Sequence, residues 1–314
     1  MNILVNIKPK YKIRIGEGIV NKKTFSKGFV ITDKNVYSLY KKFIGEKYFC
    51  IEPGESSKNI DIYSKILKLL SDEDTIIAFG GGVVGDIAGF VASTYKRGIK
   101  FIQVPTTLMA MVDSSIGGKN GVDLGQKKNY VGTIYQPAEV IIDTKFLKTL
   151  SKKELKNGYA EIVKYNYLLG KPSLKELQGN KLKNVIYESC KAKAKTIEKD
   201  PFDLGYRHIL NFGHTIGHGI ELLGGLSHGE AISIGMIKEL EIACKMEITS
   251  KKAVEKIREN LKLLGLPTEL PKNINKNKFL DILKADKKGK FIFSINKNNY
   301  SVKISEKEIK GILK

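Results

Sequence analysis

Through the first 150 residues short β-rich runs alternate with helical ones, and beyond that point the alternation stops. Residues 29–32, 75–79, 101–104 and 140–142 are apolar runs of strand length. Residues 59–70 carry apolar side chains at helical spacing, and 85–93 form another helical stretch. Such a rhythm predicts a parallel sheet with helical crossovers, an α/β domain. From residue 151 a helical period dominates, over 152–169, 181–198, a histidine-bearing helix, 230–246 and 251–264, with Leu264-Gly-Leu-Pro267 as a stop signal. Strand-like runs return only at 291–295 and 300–304. The expectation is an α/β domain over 1–150 and a mostly α-helical domain over 151–314.

Composition narrows the function classes. The net charge of +21 comes from 54 cations, of which only Arg14, Arg97, Arg207 and Arg258 are arginine. Base readout and stacking favour arginine, and the lysines are spread along the chain with no aromatic-interleaved basic tract. Nucleic acid is therefore not an expected partner. The longest apolar region, 75–93, contains five glycines and Asp86, so no membrane span is expected. The N-terminus reads as a strand and a turn, without the apolar centre of a signal peptide. Cys50, Cys190 and Cys244 are odd in number and widely spaced, which suits a reducing cytoplasm and neither a disulfide framework nor a Cys-based zinc site.

Three of the four histidines, His214, His218 and His228, fall within fifteen residues. Spacing of i and i+4 puts His214 and His218 on one helix face, suited to a shared cation. Their surroundings are apolar (Ile209, Leu210, Phe212, Ile216, Ile220), where imidazoles without partners would be unfavourable to bury. No glutamate lies between the pair to serve as the base of a zinc protease. Spacing thus marks His214 with His218, and the constellation is completed by His228 and, upstream, Glu161.

A second motif, Thr75-Ile-Ile-Ala-Phe-Gly80-Gly-Gly82-Val-Val-Gly85-Asp86, places a strand, glycines and a helix start in the order that lets backbone amides approach a pyrophosphate. It is not in the first strand unit, and no acidic residue follows about twenty positions on, so a standard Rossmann site is not implied. A third cluster, Val104-Pro-Thr106-Thr107, Asp113-Ser-Ser-Ile-Gly-Gly-Lys119 and Lys127-Lys128-Asn129, mixes hydroxyls, glycines and lysines suited to phosphate or carboxylate. On residue type alone, a hydrated polar loop explains it equally well.

Together with Tyr95-Lys-Arg97-Gly, Tyr159-Ala-Glu161-Ile-Val-Lys164-Tyr, Leu210-Asn-Phe-Gly-His-Thr-Ile-Gly-His218 and His228-Gly-Glu-Ala, these motifs resemble 3-dehydroquinate synthase, collinearly from about Asp33 to Lys288. The resemblance implies a nucleotide-binding α/β domain and a mostly helical metal-binding domain. It also implies an NAD-dependent, divalent-metal lyase of the shikimate pathway, and a homodimer. Its zinc or cobalt ion would be held by Glu161, His214 and His228, with His218 contacting substrate instead. NAD would contact Asp33, Pro53, Gly54, Glu55, Lys58, Gly81, Gly82, Val83, Val84, Gly85, Asp86, Thr106, Thr107, Lys119, Lys128, Phe146, Leu147, Lys148 and Thr149, with Asp86 beside the nicotinamide. The sugar phosphate substrate would be surrounded by Arg97, Asp113, Lys119, Asn129, Lys164, Lys193, Arg207, Asn211, His218 and Lys287.

The implied substrate, 3-deoxy-arabino-heptulosonate 7-phosphate, carries a carboxylate and a phosphate, which accounts for so many cations. Transient oxidation acidifies the neighbouring proton, phosphate leaves, the hydride returns, and an aldol step closes the ring of 3-dehydroquinate. The alternatives are a related cyclase acting on sedoheptulose 7-phosphate or glucose 6-phosphate, a metal-dependent alcohol dehydrogenase of the glycerol dehydrogenase type, and a nucleotide-binding regulatory protein. A regulatory protein would need a closed structural metal site, usually of four ligands, where three align here.

Overall fold

The computed structural model describes residues 1–125, 127–179, 181–272, 274–286, 291–296 and 298–312. They form two compact units, Met1–Leu155 with Leu182–Phe202, and Lys156–Lys181 with Asp203–Lys314.

The first unit is built on a seven-stranded sheet. Its strands are β1 (Asn2–Val5), β2 (Tyr11–Gly16), β3 (Phe29–Asp33), β4 (Tyr48–Ile51), β5 (Thr75–Gly80), β6 (Lys100–Pro105) and, after a hairpin of β7 (Lys119–Leu124) and β8 (Lys127–Ile134), β9 (Glu139–Asp143). Their order across the sheet is β1-β2-β9-β6-β5-β3-β4. Only β1 with β2 is antiparallel; the other sheet neighbours run parallel. β5 is buried at every residue, as expected of an interior parallel strand covered on both faces. Helices α1 (Lys22–Phe25), α2 (Lys34–Tyr40), α3 (Ile60–Leu69) and α4 (Gly82–Thr94) lie between the strands in sequence. Ile31, Ile76, Val84, Ile87, Val91 and Phe101 are among the side chains of the core.

The loop expected around 113–129 is more ordered than its polar composition implies. Ala110–Ser114 is a π-helical turn, and β7 and β8 pair with Gly121 opposite Gly132. Both strands of this hairpin keep exposed residues, which is why hydropathy did not mark them.

The second unit is helical. After α5 (Lys152–Leu169), whose later turns belong to it, come α6 (Leu174–Gln178), then α8 (His214–Gly224), α9 (His228–Lys245), α10 (Lys251–Leu263), α11 (Lys276–Asp286) and α12 (Glu306–Ile312). The intervening α7 (Leu182–Lys199) lies in the first unit, against β1, β2 and the π-helical turn. A two-stranded ribbon, β10 (Phe291–Phe293) and β11 (Val302–Ile304), completes the second unit. Its core is a continuous apolar cluster including Val163, Phe212, Ile216, Ile232, Leu240 and Phe279. α8 and α9 approach unusually closely at Gly235, where an added Cβ would lie 2.0 Å from the Gly213 carbonyl oxygen.

Candidate functional site

Three helix segments of the second unit bring the histidines to one carboxylate. Glu161 on α5 is fully buried, and His214 and His228 are the first residues of α8 and α9. Nε2 of His214 lies 3.6 Å from Glu161 Oε1, and Nε2 of His228 lies 3.7 Å from the same oxygen. Lys164, one turn along α5, is ion-paired with Glu161 Oε2 and donates to the Leu210 carbonyl at 2.9 Å. Oε1 of Glu161, the oxygen turned to the two rings, is buried and accepts no hydrogen bond, an arrangement that a cation would satisfy.

The two helix starts are fixed by contacts that the motifs did not reveal. Gly213 caps α8 at φ +79°, a backbone conformation that favours glycine. No side chain of the capping residue closes this end. Instead the buried carboxylate of Glu239, from α9, accepts from Gly213 N–H at 2.7 Å and Ile216 N–H at 3.2 Å. That satisfies two otherwise orphaned donors and places negative charge at the positive end of the helix. α9 starts with a capping box of Ser227 and Glu230, and Gly229 N–H donates to Asn157 Oδ1 of α5 at 3.2 Å.

Electrostatics separates the two rings. Burial, reinforced by the Lys164 ammonium and the neighbouring imidazoles, holds His214 neutral to well below the usual histidine range. Burial also opposes charge on His228, but the carboxylates of Glu161 and Glu221 outweigh it and lift that ring to about 9.

Two donor sets have their atoms within 4.8 Å of one another: Glu161, His214 and His228, and His218, Glu221 and His228. Among the described residues neither set contains both His214 and His218, the pair favoured by spacing alone. One helical turn leaves those rings edge to face at 5.5 Å, whereas helix packing turns His214 and His228 onto a shared oxygen. His208 stands apart from both sets, its Nε2 3.0 Å from the Asp203 carbonyl. Arg207 is buried, and both it and Asn211 lie on the 3₁₀ turn Tyr206–Asn211 that leads into α8. Lys287 falls outside the described residues.

In the first unit the other candidates gather where parallel strands end. β3 is followed by β4 on one side, whereas its other neighbour, β5, is followed by β6 on the opposite side, so the chain leaves these two adjacent strands in opposite directions. That is a topological switch point, where open α/β sheets bind ligands beyond the strand carboxyl ends. Asp33 ends β3 and caps α2 through Val36 N–H at 3.0 Å, and Gly81 and Gly82 join β5 to α4. α4 starts at Gly82 rather than near 85, because Gly85 N–H already bonds the Gly81 carbonyl at 3.0 Å. No side chain caps this end. A Cβ on Gly81 would come 3.1 Å from Thr107 Cγ2, and one on Gly82 3.1 Å from Ser114 Oγ. Bare backbone at an uncapped helix start fits a pyrophosphate.

Around this end, buried Lys58 pairs with Glu55 at 2.6 Å and with Asp86 at 3.3 Å. Burial opposes charge on Lys58, but the two carboxylates raise it above its ordinary range. Burial raises Asp86 to about 6 against the pull of Lys58, with Glu55 and Lys193 also contributing. Burial likewise raises Asp33. Lys193 on α7 contacts Asp113, with Nζ 2.5 Å from Oδ1 and 2.8 Å from the carbonyl oxygen. Thr106 N–H bonds the Gly80 carbonyl, and Thr107 Oγ1 accepts from Ala110 N–H.

The remaining candidates divide between exposed and core positions. Arg97, Lys119, Lys128 and Asn129 are exposed, and Pro53 and Gly54 lie in the exposed loop after β4. Phe146 and Leu147 are core residues. Lys148 pairs with Glu17 at 2.7 Å, and the Thr149 hydroxyl lies 2.6 Å from that of Tyr40.

An α/β unit followed along the chain by a helical unit bearing a His–His–Glu cluster is the architecture of the dehydroquinate synthase-like fold. In fold the chain is similar to 2-deoxy-scyllo-inosose synthase, solved with carbaglucose-6-phosphate, NAD+ and Co2+ (TM-score 0.88, 24% identity, 100% of this chain and 99% of that one). It is similar also to 2-epi-5-epi-valiolone synthase from Streptomyces hygroscopicus, solved with NAD+ and Zn2+ (TM-score 0.83, 23% identity, 96% and 95%). Residues 48–157 match the 3-dehydroquinate synthase N-terminal family model and 158–289 the C-terminal one. The 3-dehydroquinate synthase of Caldanaerobacter subterraneus is 43% identical over 304 residues, 88% of this chain and 85% of that protein. The chain belongs to the 3-dehydroquinate synthase family and is an enzyme of the lyase class.

Proposed function

We propose that this enzyme converts 3-deoxy-arabino-heptulosonate 7-phosphate to 3-dehydroquinate and phosphate, using bound NAD and a divalent cation, zinc or cobalt. The observation that carries the reading is the buried Glu161 carboxylate facing Nε2 of both His214 and His228, in a chain that aligns over 88% of its length with 85% of relatives of that name. Glu161, His214 and His228 would hold the cation, leaving positions open as catalytic sites require. When bound, NAD would supply a reversible hydride acceptor, and the cation a Lewis acid for substrate hydroxyls.

The chain's own residues account for binding and proton handling. The amides of Gly82, Val83 and Val84 would receive the pyrophosphate, and Asp86 would lie beside the nicotinamide. Asp33, the segment 53–58, Thr106, Thr107, Lys119, Lys128 and 146–149 would complete the nucleotide contacts. Within the 146–149 segment, buried Phe146 and Leu147 shape the wall rather than offer polar contacts. Arg97, Lys119, Asn129, Lys193, Arg207, Asn211 and Lys287 would bind the substrate's anionic and hydroxyl groups. His218, beside the cation set, would move protons. Lys164 keeps Glu161 charge-balanced within a buried pair.

We also propose a homodimer, as the family resemblance implies, in the reducing cytoplasm that the cysteine pattern suits. The cysteines Cys50, Cys190 and Cys244 are all free, and no described helix is long and apolar enough to cross a membrane.

The test is phosphate release from 3-deoxy-arabino-heptulosonate 7-phosphate with catalytic NAD, before and after chelation, with NADH absorbance followed in parallel. Cation-dependent release without NADH accumulation is expected. Release from sedoheptulose 7-phosphate instead would keep the chemistry and overturn the substrate, and stoichiometric NADH would mark a dehydrogenase.

A further inference from the structure

His214 and His228 meet Glu161 in the same way, each through Nε2, and in each case the opposite nitrogen is anchored. Nδ1 of His214 lies 3.1 Å from the Phe212 carbonyl. Nδ1 of His228 lies 3.2 Å from Glu221 Oε2, a side chain on α8 three residues beyond His218 and largely buried at 18% exposure. A carbonyl and an ionised carboxylate only accept. Both anchors therefore favour the proton on Nδ1, so that each ring in its neutral form presents the Nε2 lone pair to the Glu161 side, the tautomer a cation needs. At His214 the backbone supplies this anchor for any sequence. At His228 one side chain supplies it.

We propose that Glu221 is a positioning residue that fixes the tautomer and ring orientation of His228 for cation binding. The inference rests on the cation assignment made above and adds a residue to it. Glu221 also belongs to the second donor set with His218 and His228, so its alternative use is as a ligand itself, and the two uses answer differently to substitution. A carboxamide oxygen accepts from Nδ1–H as a carboxylate does, but it is a poor metal ligand.

The experiment measures Co2+ affinity by chelator competition and the Co2+ visible absorption spectrum in wild type, Glu221→Ala, Glu221→Gln and Glu161→Ala, at one pH. Melting temperatures of the cation-free proteins are recorded alongside. Glu221→Ala is expected to weaken Co2+ binding by roughly 10–100-fold, as loss of an outer carboxylate commonly does, and to shift the absorption bands without lowering the cation-free melting temperature. Glu221→Gln should return the affinity to within a few-fold of wild type. Wild-type affinity in Glu221→Ala would overturn the positioning role. So would a Glu221→Gln variant as weak as Glu221→Ala, which would make Glu221 a ligand. Equal Co2+ binding by wild type and Glu161→Ala would overturn the underlying cation assignment instead, a result distinct from either.

Discussion

The two ends of this molecule that carry its chemistry are made in opposite ways. The cation cluster consists of side chains: Glu161, His214 and His228 project from three helices, with Glu239, Asn157 and Glu221 holding them in place. The nucleotide end consists largely of backbone, where β5 runs through Gly81 into the uncapped start of α4 and the absence of Cβ atoms makes the space. The first should therefore fail when a side chain is removed, and the second when one is added.

The largest contrast is expected from Glu161→Ala, which should abolish cation retention and turnover while leaving NAD affinity unchanged. Elemental analysis and NAD titration check this, and a cation-loaded variant would break the assignment. Next in size is Glu239→Ala, which strands the Gly213 and Ile216 N–H groups in the core. At about 1–3 kcal/mol for each buried donor, stability to denaturant should fall by roughly 2–6 kcal/mol, whereas a solvent-filled gap would leave it nearly unchanged. The converse experiment is Gly82→Val, whose added atoms crowd Ser114 Oγ and the phosphate path. NAD affinity should drop by roughly tenfold or more, the equivalent of about 1.4 kcal/mol, with Co2+ affinity unaltered.

A smaller effect is expected from pH. With its carboxyl raised to about 6, Asp86 is neutral below that value and anionic above it. Attraction for the cationic ring of NAD+ should therefore appear as pH rises through about 6 and be weaker for NADH. Asp86 faces Lys58, Glu55 and Lys193, so an Asp86→Asn variant is the needed control, and an unchanged pH profile there would transfer the effect to those neighbours. The smallest change should come from Lys148→Ala. Its amine is already engaged by Glu17 on the surface, so NAD affinity should move less than about threefold, or under 1 kcal/mol. A greater loss would restore Lys148 as a nucleotide contact.

Much of the fold was legible because burial leaves a pattern. β5 is buried at every position and reads as an uninterrupted apolar run, and α10 reads as an amphipathic helix with Val254, Ile257 and Leu261 inward. The hairpin of β7 and β8 left no such trace, since its stability lies in pairing rather than apolar alternation. At the site, spacing joined His214 to His218 because it sees only one helix, and the partner across α9 is set by packing. Glu161 stood among the candidates, but its role beside His214 and His228 came from family resemblance, as nothing local ties it to residues more than fifty positions away. Glu221 had a usable signal in its i+3 relation to His218, and so stood on the same face of α8. Glu239 had none, because a glutamate inside an apolar helix announces its purpose only once the backbone it caps is in view.

The close approach of α8 and α9 at Gly235 gives the cluster a dimension that neither histidine encodes. Position 235 lies two turns past His228 on α9, and its missing methyl group lets the Gly213 carbonyl sit where a Cβ would stand. Gly213 immediately precedes His214. The separation of the two imidazoles is thus a gauge set by an atom the chain omits, two turns along α9 from the donor on that helix.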